Sequence, residues 1–213
     1  MKILITGSTG SLGSKLVKAF EGHDLILHGR DLNKFPIGED KKIIGDLRNQ
    51  KVIEEIIKEC ENVDVFINTA ALFQHSLLEE VNNNEVVDII NVNVTSQIIM
   101  LKNVIQIFKD RGYGTILNMN SVAGIMGNKM EAIYCASKYG MKGFLDSMRY
   151  DCIQCGVKII DVFSGAMNDG MAVHRGGAEK FIDQTELAKL IVILVQTKSF
   201  FSSRIDIHRA IYE

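Results

Sequence analysis

The sequence predicts an α/β fold: one doubly wound parallel sheet with helices on both faces, three layers in all, occupying residues 1–213 as a single domain. Three observations predict it. Short Val/Ile/Leu runs alternate with longer segments whose apolar residues recur at helical spacing. The short runs are apolar throughout instead of alternating with polar residues, the pattern of strands covered on both faces. A glycine-rich turn separates the first run from the first helical segment, and no internal repeat or low-complexity linker divides the chain.

The elements follow in order. Lys2–Thr6 reads as the first strand and Leu12–Phe20 as the first helix. Leu25–His28 and Lys42–Gly45 are the next strands, joined by a stretch whose irregular part, Asn33–Asp40, holds the only proline, Pro36. Lys51–Cys60 sets Val52, Ile53, Ile56 and Ile57 at helical spacing. Val63–Asn68 is the fourth strand, and Asn84–Asp110 is one long helix or two in tandem. Strand Gly114–Asn118, helix Ala132–Gln154, strand Val157–Phe163, helix Glu186–Gln196 and a final alternating strand, Ser203–His208, complete the chain. Right-handed crossovers gather the loops that follow the strands along one edge of the sheet.

Composition narrows the function. A chain of 213 residues with 46% hydrophobic and 23% charged residues is an ordinary globular domain with a sizeable core. A formal net charge of -2 leaves no electrostatic footprint for nucleic acid or an anionic membrane. No apolar run approaches the length of a bilayer span, and the apolar part of the N-terminus is too short for a signal peptide. A cytoplasmic protein is expected. Cys152 and Cys155 form a C-x-x-C, but a zinc site needs two more ligands, and Cys60 and Cys135 do not form a second such pair. The pair reads as small apolar residues on a helix face, and no metal is expected.

The strongest local signal is Thr6-Gly7-Ser8-Thr9-Gly10-Ser11-Leu12-Gly13, directly after the first strand and opening a helix. Glycines there permit a sharp turn and close backbone approach, and the helix N-terminus offers free N–H groups to a pyrophosphate. A dinucleotide is the natural ligand. An adenosine 2′-hydroxyl is usually held by a carboxylate about 20 residues on, and a 2′-phosphate by arginine. The second strand ends His28-Gly29-Arg30-Asp31. His28 stands where the carboxylate would be, and Arg30 can grip a phosphate in two places, so NADP(H) is favoured over NAD(H). Asp31, turned inward, would favour the ribose hydroxyl instead.

Tyr134-Cys135-Ala136-Ser137-Lys138 is a Y-x-x-x-K near the start of a long helix, which puts both side chains on one face. An ammonium beside a phenol favours phenolate, and such a tyrosine can exchange a proton with a carbonyl or alcohol oxygen. Ser121 comes thirteen residues earlier, just past the fifth strand, at the edge where this layout binds ligands. Asn93 lies within a helical stretch that its propensity disfavours; it has a polar role, marks a kink or sits on the solvated surface.

Taken together, in order and spacing, these residues resemble the short-chain dehydrogenase/reductase family over nearly the whole chain. The matching motifs are Thr6–Gly13, Asp46-Leu47, Asn68-Thr69-Ala70-Ala71, Asn93, Ser121, Tyr134 and Lys138. The resemblance implies an NAD(P)-dependent oxidoreductase acting on a small carbonyl or alcohol. Tyr134 would be the general acid/base, Lys138 would lower its pKa and bind the nicotinamide ribose, Ser121 would hold the substrate oxygen, and Asn93 would support a water-mediated proton relay. Gly7, Ser8, Thr9, Gly10, Ser11, Leu12 and Gly165 would meet the cofactor, Asp46 and Leu47 its adenine, and Asn68 and Ala70 its cleft. A homodimer or homotetramer is implied through the two long helices, although Ile98, Ile99, Leu101, Val104 and Ile105 could equally be covered by the sheet.

The chain departs from the family pattern at three places. Ser11 replaces a middle glycine; Ser164-Gly165 stands for Pro-Gly, with Asp169 four residues on at a threonine position on the nicotinamide side; and the segment Met171–Gln184 is short, which implies a small substrate lid. A non-catalytic NADP(H)-binding protein is therefore the alternative, and a nucleotide-sugar epimerase or dehydratase a remoter one, since the chain lacks length for a substrate domain. Met126, Met130, Met167 and Met171 predict an open apolar pocket for a small or flexible carbonyl, with His75 and His174 near its mouth.

Overall fold

The computed structural model of the chain describes residues 1–38, 40–168, 181–199 and 201–210. Seven parallel strands form one sheet in the order β3-β2-β1-β4-β5-β6-β7. They are β1 Lys2–Thr6, β2 Asp24–Gly29, β3 Lys41–Ile44, β4 Val65–Asn68, β5 Gly114–Ser121, β6 Val157–Ser164 and β7 Arg204–Ile207. The helices are α1 Ser11–Ala19, α2 Gln50–Glu59, α3 Asn83–Ile90, α4 Ser96–Arg111, α5 Ala132–Gln154 and α6 Gln184–Gln196. The doubly wound three-layer reading is correct. The order reverses between β1 and β4, which opens a crevice beyond their carboxyl ends.

Successive strand residues feed opposite layers. Leu4, Phe66, Ile116 and Ile159 point into a core shared with α2, α4 and α5. Ile3, Ile5, Ile67, Leu117 and Ile160 point into a second core under α1 and α6. Short polar side chains start several helices: Asn49, Asn82 and Asp183 each accept backbone N–H bonds in the first turn of α2, α3 and α6. The apolar face of α4 is consumed internally, with Leu101, Val104 and Ile105 buried and Ile98 and Ile99 packed against the same core.

One element follows the tandem alternative and one differs from the sequence reading. Helices α3 and α4 run in tandem, joined by one π-helical segment, Asn91–Thr95. Strand β5 runs three residues further than expected, so Ser121 is its last residue, paired with Ser164. Cys152 and Cys155 carry free thiols, as do Cys60 and Cys135. Among the described residues there is no cluster fit to hold a metal and no helix long and apolar enough to cross a membrane.

The chain between β6 and α6 leaves and returns through a paired stem. Met167 bridges Ile182, the Asn168 N–H donates to the Ile182 carbonyl at 3.0 Å, and the Asn168 carboxamide reaches both Asp183 and the Gln184 N–H. Gln184 then accepts a 2.6 Å bond from the Ser11 hydroxyl, tying α6 to the glycine loop.

Phe66 is fully buried at the centre of the sheet. Phe66→Ala should cost about 3–5 kcal/mol in urea unfolding, whereas Ile193→Ala, on the exposed side of α6, should stay within about 0.5 kcal/mol.

Candidate active site

The crevice between β1 and β4 is a cavity of about 510 Å³. Its floor is the glycine loop. Gly7 takes φ +71°, and a Cβ there would press on the Ala70 backbone; a Cβ at Gly13 would collide with the Gly7 carbonyl. The loop and the start of α1 therefore lie against backbone with no room for side chains, leaving the Gly10–Leu12 turn open to the cavity.

Strand β2 clamps this loop. The His28 carbonyl accepts both the Ser8 N–H and the Ser8 hydroxyl at 2.9 Å. The His28 ring lies between the Gly7 N–H, 3.4 Å from Nδ1, and the Gly45 carbonyl, 3.1 Å from Nε2. A backbone N–H only donates and a carbonyl only accepts, so the ring is neutral with its proton on Nε2. Burial lowers its pKa, outweighing the Gly45 bond and the Asp46 charge; Arg30 lowers it further. The histidine that the sequence placed at the ribose position is thus a buried strut. His28 still borders the cavity, whereas Ser8, equally buried beneath the loop, lies outside its wall.

At the end beside β2 and β3 the cavity is lined by Arg30, Asp31, Lys34, Asp46 and Leu47. Both carboxylates are already engaged. Asp31 accepts the Asn33 N–H at 3.0 Å, capping the turn Leu32–Lys34, and pairs loosely with the exposed Lys34 ammonium at 4.0 Å. Asp46 holds Arg48 through two 2.9 Å bonds, which keep its carboxyl below the usual range, and Arg48 also pairs with Asp88 at 2.6 Å. Arg30 is exposed and makes no hydrogen bond or ion pair among the described residues.

At the other end Tyr134 and Lys138 enter the wall together with Met119 and Asn120 of β5. The Lys138 ammonium lies 5.7 Å from the Tyr134 ring centroid and donates to the Met119 carbonyl at 3.0 Å. Burial lowers its pKa to about 8, against the Asp161 charge, which raises it. Phe73 meets Tyr134 edge-on at 5.0 Å and fixes the plane of the phenol.

The remaining expected site residues lie behind or beside this wall. Asn93, fully buried in the π segment, accepts the Leu72 N–H and donates to the Leu72 carbonyl and the Ser137 hydroxyl. It braces the loop after β4 against α5, so it has a polar role inside the fold and the surface alternative does not hold. Asn68 is buried in a chain of side-chain bonds below the cavity. Ser121 accepts the Ala123 N–H at 3.1 Å and keeps its own proton to donate, adjoining the wall at Asn120 without lining it. Gly165 pairs with Ile207 at the end of the sheet and does not line the cavity. Gly7, Thr9, Gly10, Ser11, Leu12 and Ala70 do line it.

The methionine pocket needs correction. Met167 lines the cavity, but Met126 is 53% exposed outside it, and the Met130 carbonyl is engaged by Gln74 and Ser76. The helical turn Val122–Gly124 ends the chain's run along the sheet before Met126 and carries that side chain outward. His75 stacks on Phe73 outside the cavity wall. Asp169, Met171 and His174 lie outside the described residues. Sequence reasoning missed Lys34, whose only signal is a second cation close to Arg30, and the buried role of His28.

Because His28 is neutral in the fold, the unfolded chain binds its proton first as pH falls. The stability it contributes is present above its unfolded value near 6.5 and is lost progressively below it. Urea midpoints at pH 7.5 and 5.0 should therefore differ more in the wild type than in His28→Ala, with the variant less stable at pH 7.5.

A family model described as short chain dehydrogenase matches residues 1–179. A 3-oxoacyl-[acyl-carrier-protein] reductase of Buchnera aphidicola is 30% identical over 174 residues, covering 76% of this chain and 71% of the relative. A short chain dehydrogenase of Burkholderia cenocepacia in complex with NADP superposes with a TM-score of 0.85 at 18% identity, covering 96% of this chain and 86% of that one. A 4-hydroxyisoleucine dehydrogenase complexed with NADH reaches 0.86 at 18% identity, covering 97% and 96%. With the strand order, the glycine loop and the Tyr134–Lys138 pair opening on one crevice, the match over most of the chain has one meaning: this protein belongs to the short-chain dehydrogenase family of oxidoreductases.

Proposed function

We propose that the protein is an NADP(H)-dependent oxidoreductase that interconverts a small or flexible carbonyl and its alcohol, with Tyr134 as general acid/base. The observation that carries this is the convergence of the glycine loop, Arg30, Tyr134 and Lys138 on one cavity of about 510 Å³. The cradle fits a dinucleotide: a Cβ at Gly7 or Gly13 would have no room, and the open N-terminal turn of α1 offers N–H donors to phosphate.

Arg30 supports the choice of NADP(H). Asp31 and Asp46 are bound to protein partners, while the Arg30 guanidinium stays uncommitted beside Lys34. Two cations at that end suit a 2′-phosphate. Leu47 and Ala70 would flank the adenine side, and Lys138 the nicotinamide ribose.

When bound, the cofactor supplies or accepts the hydride. The chain manages the proton. Tyr134 hands its phenolic proton to the carbonyl oxygen in reduction and recovers it in oxidation, and the nearby Lys138 ammonium stabilises the phenolate left behind. Ser121 has its hydroxyl proton available for the same substrate oxygen. The Buchnera relative, a reductase of 3-oxoacyl groups by name, supports a flexible acyl carbonyl as one substrate class. Self-association is proposed through the outer side of α5, where Tyr139, Tyr150 and Ile153 are exposed.

Tyr134→Phe should lower NADPH-dependent turnover across a panel of aldehydes, ketones and 3-oxoacyl thioesters by about 10²–10⁴-fold, with NADPH binding by fluorescence retained. Wild-type-like turnover in that variant refutes the assignment, and NADPH binding without consumption of any substrate favours a non-catalytic binder. Arg30→Ala should weaken NADPH by about 10–100-fold, the worth of a charge-assisted phosphate contact, and leave NADH nearly unchanged. Equal losses for the two nucleotides would remove the case for NADP(H).

A further inference from the structure

Strand β6 carries one acid, Asp161, which is fully buried among its apolar residues. Its carboxylate receives two amide donors from β5: Asn118 Nδ2 to Oδ1 at 2.8 Å and Asn120 Nδ2 to Oδ2 at 3.0 Å. Neither amide is free to turn over. Asn120 Oδ1 accepts the Ser121 N–H at 2.9 Å, and a backbone N–H can only donate. Asn118 ends a longer chain. The Ala70 carbonyl, an obligate acceptor, takes the Gln97 amide at 2.6 Å; Gln97 Oε1 takes the Asn68 amide at 3.0 Å; and Asn118 Oδ1 takes the same amide at 2.7 Å. Asn68 Oδ1 is occupied by the Thr6 hydroxyl. Both chains are anchored on backbone at their far ends, and both arrive at Asp161 as N–H donors. Neither amide can accept a proton from Asp161, and both donate best to its charged form, so the two chains favour the carboxylate against the burial that opposes it.

The charged groups around it divide clearly. On α5, Arg149 is paired with Asp146 at 2.8 Å and bonded to the Ser203 carbonyl. On β7, Arg204 is paired with Asp206 at 2.8 Å. Lys138, on α5, is 4% exposed, and its one hydrogen bond is to a neutral carbonyl, that of Met119, which lies between the two asparagines on β5. Tyr134 faces it from its own helix. Asp161 is thus the acid whose field reaches Lys138 in the interior.

We infer that Asp161, fixed as a carboxylate by two one-way amide chains, is the buried counter-charge that keeps Lys138 an ammonium at the wall of the cavity. It is a positioning residue and touches neither substrate nor cofactor. The inference rests on the proposed role of Tyr134 and Lys138 for its meaning in catalysis, but it can be tested apart from turnover. Burial works against both charges: it lowers the Lys138 pKa against the pull of Asp161, and it lifts the Asp161 carboxyl above its ordinary range, outweighing the asparagines, Lys138 and Arg149, which lower it.

The test is the titration of Lys138 itself, followed in the full chain by NMR of ¹³Cε-labelled lysine and assigned with Lys138→Met. The wild-type signal should titrate near pH 8. In Asp161→Asn the midpoint should fall by about one pH unit or more, the usual effect of removing a close opposite charge. The exchange Asn120→Asp with Asp161→Asn preserves the hydrogen bonds, because the amide now on β6 donates to the carboxylate now on β5 while accepting from Asn118. It also returns a carboxylate to the site, so the midpoint should recover toward the wild-type value. An unmoved midpoint in Asp161→Asn overturns the inference. Should that variant not fold, the exchange variant decides: a midpoint near the wild type supports the inference, and one a unit or more lower overturns it. In NADPH turnover the alkaline limb of kcat/KM should move with the NMR midpoint, whereas a merely structural role would lower the rate without moving the limb. A shifted Lys138 titration in a wild type that consumes no NADPH overturns the oxidoreductase reading and leaves the counter-charge standing.

Discussion

A parallel sheet covered on both faces excludes water, so each polar group carried into it must bring its own partner. Everything distinctive about this protein's cavity follows from that requirement. Thr6, Asn68, Gln97, Asn118, Asn120 and Asp161 lie in the sheet or against it, and each is satisfied by the next. The network joins β1, β4, β5 and β6, the strands whose ends border the crevice, so the walls of the cavity are held in register from beneath. Amides have a donor end and an acceptor end, and a chain of them anchored on backbone has a direction. That direction turns a set of neutral side chains into a seat for one negative charge.

The glycine-loop end of the crevice uses the same logic with a different residue. His28 links the glycine loop to the chain after β3, and only its neutral form fits between a donor and an acceptor. The glycine loop is therefore held by an uncharged strut. The cations at this end, Arg30 and Lys34, stand at the surface, where a phosphate can reach them. A positive charge buried directly under the loop would have imposed a desolvation cost, whereas cations at the rim impose little.

Much of this is legible in the sequence, for identifiable reasons. Apolar spacing and the glycine turn mark α5 and β1 without ambiguity, and both have the bounds that the sequence predicts. The glycine loop, Arg30, Asp46, Ala70, Tyr134 and Lys138 all reach the cavity because motif order carries their positions. Strand β5 is longer than its apolar run because Asn118 and Asn120 interrupt that run, and only a partner on β6 allows them to stay in a strand. Asp161 itself, a carboxylate inside Val157–Phe163, is the available signal for that partner. Asn68, Ser8 and Asn93 brace the site from behind because hydrogen-bond direction, which spacing does not encode, decides whether a polar side chain lines a cavity or supports it. The π segment around Asn93 leaves only the trace of a poor helix former in a helical stretch.

The stem that joins β6 to α6 has a consequence for how such a protein diversifies. Met167, Asn168, Ile182 and Asp183 close on one another, and Gln184 fastens the returning chain to Ser11. The stem closes on itself before the chain departs and after it returns, so the glycine loop keeps its anchor on α6 whatever length of chain the stem carries, since closing a longer segment on a fixed base adds only a small entropic cost. Evolution can remodel one part of the molecule piece by piece while the other stays constant.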